Sequence, residues 1–373
     1  MTRRIARLFL VTLSCTGSIH ATTSTTSAGT SQTATFSEKC AQPGVLRCDP
    51  FDSDTELRYN WPTGGPCPDS YLQTKTLYSL SRDRHDLGNA VAIVQNGQCY
   101  YPQIDTNTKF EGAGSLKFTI PSNSSANSSG YFTEPFQRPF VYAAPQAVAG
   151  STATWLGTNV IWFQYRQRFD TNFVNIDYVC TGGGCGGWKQ AIWYGNPPAG
   201  SSSSSIEVTQ NNGWERNVPQ MYGQQGSDSY GIEDVINCTY ANATSQGGAG
   251  SGHASRPNYS APLNPTCAHY PPDQWVEFTG RIEVRGAANA AQSRVQLWVD
   301  GTLVIDYAQA KINWGSADGD GIGSYHVSPY STNKDPSQTH PTGYTWYDSL
   351  IVSTQPISMG TTAPAPPVNF RVN

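Results

Sequence analysis

Between Ile161 and Phe169 the chain reads I-W-F-Q-Y-R-Q-R-F, and a second run, G-W-K-Q-A-I-W-Y-G, follows at Gly187 to Gly195. Alternate side chains of an extended strand point to opposite faces. Trp162, Gln164, Arg166 and Arg168 therefore share one face, and Ile161, Phe163, Tyr165 and Phe169 fill the other as core. The first face carries two guanidiniums, an amide and an indole. These groups suit an anionic, ring-shaped polymer, because the planar guanidinium fork grips a carboxylate bidentately. A solvated strand face is the plainer alternative. Lys189 and Gln190 extend the set on the second run. Two further segments offer proton-transfer groups: H-V-S-P-Y, with His326 and Tyr330 in a strand-edge segment, and P-Q-M-Y, with Gln220 and Tyr222.

The elements that must position these groups are strands. Runs that read as strands occupy 116–120, 160–169, 189–194, 206–210, 275–284, 294–299, 302–307 and 345–353, and helical periodicity is almost absent. Asp300-Gly301 between two alternating runs marks a two-residue hairpin. Many strands with hairpin punctuation imply an all-β chain, an antiparallel β-sandwich or jelly roll with long, disulfide-stapled loops. Loop material is rich in Ser, Gly and Asn, as at 122–129 and 201–205.

The chain opens with Arg3, Arg4 and Arg7, an apolar run at 8–13 and small residues to Ala21. That order is expected of a secretory signal peptide over residues 1–21. A Thr/Ser-rich leader at 22–35, one domain at 36–357 and a Pro-rich tail at 358–373 complete the expected organisation. Beyond the signal lie Cys40, Cys48, Cys67, Cys99, Cys180, Cys185, Cys238 and Cys267, an even set that reads as disulfides in an exported chain. Cys180 with Cys185 and Cys238 with Cys267 are natural pairs, and the four early cysteines would tie down the N-terminal region. Sequons begin at Asn123, Asn127, Asn237, Asn242 and Asn258, so the exported chain is expected to be a glycoprotein where the host glycosylates them. Charged residues make up only 13% of the chain and the formal net charge is −4, which argues against a nucleic-acid partner. No later segment is apolar enough for a membrane, and a monomer in the extracellular space is expected.

The segment W-V-E-F-T-G-R-I-E-V, then R-V-Q-L-W-V-D-G-T-L-V-I-D-Y, then T-W-Y-D-S-L-I-V-S resembles the closing strands of concanavalin A-like jelly rolls. F-Q-Y-R-Q-R-F and G-W-K-Q more specifically resemble secreted polysaccharide lyases of heparinase and alginate-lyase type. The resemblance spans roughly 150–355 and implies cleavage of an acidic, uronate-containing polysaccharide by β-elimination. That chemistry needs neutralisation of the carboxylate, a base for the C5 proton and an acid for the leaving oxygen. It implies Gln164, Arg166 and Arg168 as the carboxylate-binding set, assisted by Lys189, Gln190, Asn211 and Gln220. Tyrosine is the family's usual proton-transfer group, which puts Tyr330 and Tyr222 first and His326 after them. The Gln-Ile-His and Tyr-x-Lys strands common among alginate lyases are absent.

Two other functions fit the same fold class. A non-catalytic, laminin-G or lectin-like glycan binder would use Trp193, Trp214, Trp298, Asn211 and Asn212 as platforms and amides. A glycoside hydrolase would need a carboxylate pair, for which Glu207 and Glu283 are the candidates. Glu277 and Glu283 share a face with Arg281, which favours ion pairing. No cofactor is required, although Asp49, Asp52 and Asp54 with Asp348 offer oxygen ligands for a structural calcium.

Overall fold

A computed structural model describes residues 34–53, 65–66, 89–91, 93–95, 98–100, 102–125, 130–141, 160–176, 178–181, 188–195, 205–211, 218–224, 271–283, 293–307, 321–331 and 333–359. Eight strands form the larger antiparallel sheet: β1 (Val45–Asp49), β6 (Gln103–Asp105), β7 (Ser115–Ile120), β9 (Val160–Phe169), β13 (Trp275–Glu283), β14 (Arg294–Val299), β15 (Thr302–Tyr307) and β17 (Gly343–Ser353). Six form the second: β3 (Asn89–Val91), β8 (Tyr131–Val141), β10 (Trp188–Gly195), β11 (Ser205–Asn211), β12 (Val218–Gln224) and β16 (Gly321–Ser331). Strands β2 (Gly65–Pro66), β4 (Ile93–Gln95) and β5 (Gln98–Tyr100) make a small third sheet. Two short helices, α1 (Phe36–Cys40) and α2 (Thr171–Asn175), complete the described elements.

The order in the larger sheet is β15-β14-β13-β9-β17-β7-β6, with β1 also on β17; in the second it is β12-β11-β10-β16-β8-β3. The all-β sandwich expected from the strand pattern is the observed fold. Asp300 and Gly301 both have positive φ, 47° and 75°, in the two-residue turn that pairs Val299 with Thr302. That is the geometry an Asp-Gly hairpin favours.

The two large sheets meet through aromatic rings. Phe163 of β9 stacks on Trp193 of β10 at 4.7 Å, and Trp193 packs on Tyr325 of β16 at 5.2 Å. A Cβ on Gly280 would lie 1.9 Å from the Phe163 ring, so only glycine leaves that ring room to lie across β13. Phe118, Tyr347, Tyr165 and Phe278 continue the stack.

The N-terminal end of the fold begins earlier than residue 36. Thr35 caps α1 by accepting from the Glu38 amide, while the Glu38 carboxylate accepts from the Thr35 amide at 2.7 Å. The Cys40–Cys48 disulfide ties α1 to β1, and Cys180 is also disulfide-bonded. Ser358, expected at the start of the tail, accepts at its hydroxyl from the Gln42 side-chain Nε2 at 2.8 Å and so belongs to the fold. The pairing expected for Cys238 with Cys267 and four of the five sequons lie outside the described residues; Asn123 is exposed in a turn. Among the described residues no helix is long and apolar enough to cross a membrane.

Candidate functional site

The register of the second sheet brings the proton-transfer candidates together. Strand β10 lies centrally, between β11 and β16. One cross-strand row runs Gln220, Thr209, Lys189, Tyr330. The neighbouring row runs Tyr222, Glu207, Ile192, His326, Thr133. Three strands, β10, β12 and β16, thus contribute Lys189, Tyr330, His326, Tyr222 and Gln220 to two rows, although these residues span more than 140 positions of sequence.

Lys189 and His326 face away from the inter-sheet core. Tyr325 and Val327, which flank His326, and Trp188, which precedes Lys189, all belong to the core cluster, whereas Ile192 does not. Strand alternation then puts Lys189 and His326 on the opposite face. The Lys189 ammonium sits over the Tyr330 ring, 4.6 Å from its centroid, a cation–π contact. His326 stacks on Tyr131 with ring centroids 5.0 Å apart and planes at 10°. Both Lys189 and His326 are buried, and Tyr330 is half-buried. Burial pushes the His326 imidazole down to about 3, so it is neutral at physiological pH. The arrangement is a lysine, a phenol and an uncharged imidazole on one desolvated sheet surface. A strand-edge position was expected for His326 and Tyr330; β16 is instead an interior strand between β10 and β8.

Gln190 differs from the expectation. Its side chain turns inward and donates to Gln167 Oε1 at 2.9 Å, 1% exposed in the core between the sheets. It cannot assist substrate binding from there. Asn211 sits at the end of β11, opposite Val218.

Gln164, Arg166 and Arg168 do share a face, but it is the outer face of the larger sheet, and each is held by protein partners. Arg166 pairs with Glu277 at 2.7 Å and lies beneath the Phe110 ring at 3.6 Å. Glu277 also takes the buried Lys39 ammonium of α1 at 3.2 Å. Gln164 accepts from Lys39 at 2.7 Å and donates to Thr279 at 2.8 Å. Arg168 pairs with Asp273 at 3.2 Å. The side chains expected to hold the uronate are thus engaged within the protein: Gln164 and Arg166 help fasten α1 and the segment bearing Phe110 onto the sheet, and Arg168 is paired with Asp273. The charge pattern on β9 was real, and its complement was Glu277 and Asp273, which a one-strand reading does not contain.

The carboxylates separate as well. Glu207 lies on β11 of the second sheet and Glu283 on β13 of the larger one, where Arg281 holds it at 2.5 Å. They do not form a hydrolytic pair. The carboxylates expected as calcium ligands have protein donors where they are described. Asp49 accepts from Tyr325 Oη and Arg47, both at 2.9 Å. Asp52 accepts from the Ala113 and Gly114 amides. Asp348 accepts from the Phe110 amide at 2.8 Å and from Ser349 at 2.9 Å, and burial raises it to about 6. Asp54 lies outside the described residues. Among the described residues no three His, Cys, Asp or Glu side chains gather as a metal site.

Trp193 is fully buried and cannot be a platform, and Trp214 and Asn212 lie outside the described residues. Trp298 stacks on Trp162 at 5.6 Å on the outer face of the larger sheet. Tyr131 and Gln167 had no sequence signal pointing to the site. Tyr131 opens a strand interrupted by Pro135 and Pro139, and Gln167 looks like one more polar residue on an Arg-rich strand.

No family model matches the chain, and no curated protein matches it. Similar solved structures include the alginate lyase Aly36B, at 15% identity and TM-score 0.39, covering 86% of this chain and 100% of that one. The marine PL-14 alginate lyase from Aplysia kurodai is similar at 12% identity and TM-score 0.41, covering 68% and 87%. The endo-β-1,4-glucuronan lyase from the fungus Trichoderma reesei is similar at 13% and 0.38, covering 73% and 96%.

Proposed function

We propose that the protein is an exported polysaccharide lyase that cleaves a uronate-containing polymer by β-elimination on the outer face of the six-stranded sheet. One observation carries the reading: the register joins Lys189, Tyr330, His326, Tyr222 and Gln220 on that sheet, with the Lys189 ammonium against the Tyr330 ring. Lys189 and Gln220 supply charge and hydrogen bonds to the uronate carboxylate, which acidifies the C5 proton. Tyr330 or Tyr222, as its phenolate, takes that proton; the C4–O bond breaks as the C4–C5 double bond forms, and the phenol so formed protonates the leaving oxygen. His326, neutral and a weak base, orients its neighbours and carries no charge in the cycle. The N-terminal Arg-apolar-small order and the Cys40–Cys48 disulfide support export. No step calls for a cofactor.

Purified protein incubated with alginate, glucuronan, heparin-type polymers and pectin should generate the ultraviolet absorbance of an unsaturated uronate end with at least one of them. A non-catalytic glycan-binding role has one observation in its favour, the stacked Trp162–Trp298 pair on the other sheet. Retention on a polysaccharide column without absorbance from any substrate would favour it over the lyase.

A further inference from the structure

Lys189 reaches the outer face only because β10 breaks its alternation. Counting back from Trp193 and Ala191 in the core, a regular strand would place residue 189 in the core too. Residues 189–191 instead lie opposite two residues of β11, 208 and 209, and opposite four of β16, 327–330. The strand fans at this point, with Gln190 as the irregular residue, so that Trp188 enters the core and Lys189 leaves it.

The irregular residue is gripped from the opposite sheet. Tyr347 of β17 donates its hydroxyl to the Gln190 carbonyl at 2.8 Å. The Gln190 side-chain amide donates to Gln167 of β9 at 2.9 Å, and Gln167 donates to Thr345 Oγ1 at 2.9 Å. Thr345 closes the chain by donating to the Arg168 carbonyl at 2.8 Å. All four side chains are essentially buried. An uninterrupted polar chain through an aromatic core is costly unless every member is satisfied. Apolar side chains would fill the same volume at less desolvation cost, so packing alone does not call for these residues.

We propose that Tyr347, Gln167, Gln190 and Thr345 form a register clamp, a set of positioning residues that fixes the irregularity in β10 and so presents Lys189 to Tyr330. None of them meets substrate; they act through the backbone of residue 190. The inference rests on the lyase reading for its kinetic consequence and on β10 geometry alone for its structural one.

Tyr347→Phe removes one hydroxyl and keeps the ring against Phe118 and Tyr165; Gln190→Met keeps length and removes both hydrogen-bonding groups. For folded protein, kcat should fall roughly tenfold in each variant, with KM within about twofold of wild type, because Gln220 and the rest of the binding surface stay in place. Hydrogen exchange should show amides 188–192 losing protection while β9 keeps its own. Unchanged kcat in both folded variants, or a loss confined to KM, would overturn the clamp. Should wild type produce no unsaturated ends from any substrate, the lyase reading fails separately, and exchange decides the clamp: retained protection at 188–192 in both variants would refute it. If Gln190→Met fails to fold, Tyr347→Phe alone decides.

Discussion

Single side chains divide sharply between the two sheets. Lys189→Ala and Tyr330→Phe should each lower kcat/KM by about 10²–10⁴-fold, the usual worth of a positioned charge or proton-transfer group. Thermal melting should show both variants folded. Arg168→Ala should leave KM and kcat unchanged, since its partner Asp273 is 47% exposed and such a pair is worth about 1 kcal/mol or less. Glu277→Ala is different. It strips Lys39 and Arg166 of their common carboxylate, and leaving cations unpaired at a buried position costs about 3–5 kcal/mol, readable by denaturant unfolding. His326 has a pH signature with a definite sign. The unfolded chain takes up a proton below its ordinary value of 6.5 and the folded chain only near 3, so acid favours unfolding. The stability difference, wild type minus His326→Gln, should rise as pH goes from about 3 to 6.5 and level off above that.

At the scale of elements, the strands with clean alternation were legible, and β9, β14 and β15 have the ends the sequence predicts. Strands carrying proline were not. Pro135 and Pro139 in β8 and Pro219 in β12 look like interruptions, yet β12 is an edge strand and β3 pairs with β8 only at Tyr131–Thr133. Proline is tolerated where no ladder partner needs its missing N–H. The candidate residues of the site were legible by type, because Lys189, Tyr330, His326, Tyr222 and Gln220 stand out in their segments. Their common sheet was not, since a cross-strand row is a property of pairing and no local pattern records it. The same limit hid the partners of Arg166 and Arg168, which come from β13 and the turn before it. Gly280 tests the inter-sheet packing directly. Gly280→Ala drives a methyl into the Phe163 ring and should cost about 1–3 kcal/mol, seen as a lowered melting temperature with kcat retained by the folded fraction.

On the scale of the whole molecule, the two large sheets have separate duties. The eight-stranded sheet carries an outer layer of ion pairs, with α1 stapled by Cys40–Cys48 and Phe110 lying over Arg166. The six-stranded sheet carries the rows proposed to react, and the core polar chain from Tyr347 to Gln190 connects one sheet to the other. An export-type N-terminal pattern, low charge and a β-sandwich fit many functions, and the proposed residue chemistry on one sheet face narrows them. The most direct test follows unsaturated uronate absorbance with wild type, Lys189→Ala, Tyr330→Phe and Arg168→Ala on the same panel of uronate polymers. Absorbance should appear with wild type and Arg168→Ala and be lost with the other two. No absorbance from wild type on any polymer, or loss with Arg168→Ala while Lys189→Ala stays active, would contradict the assignment.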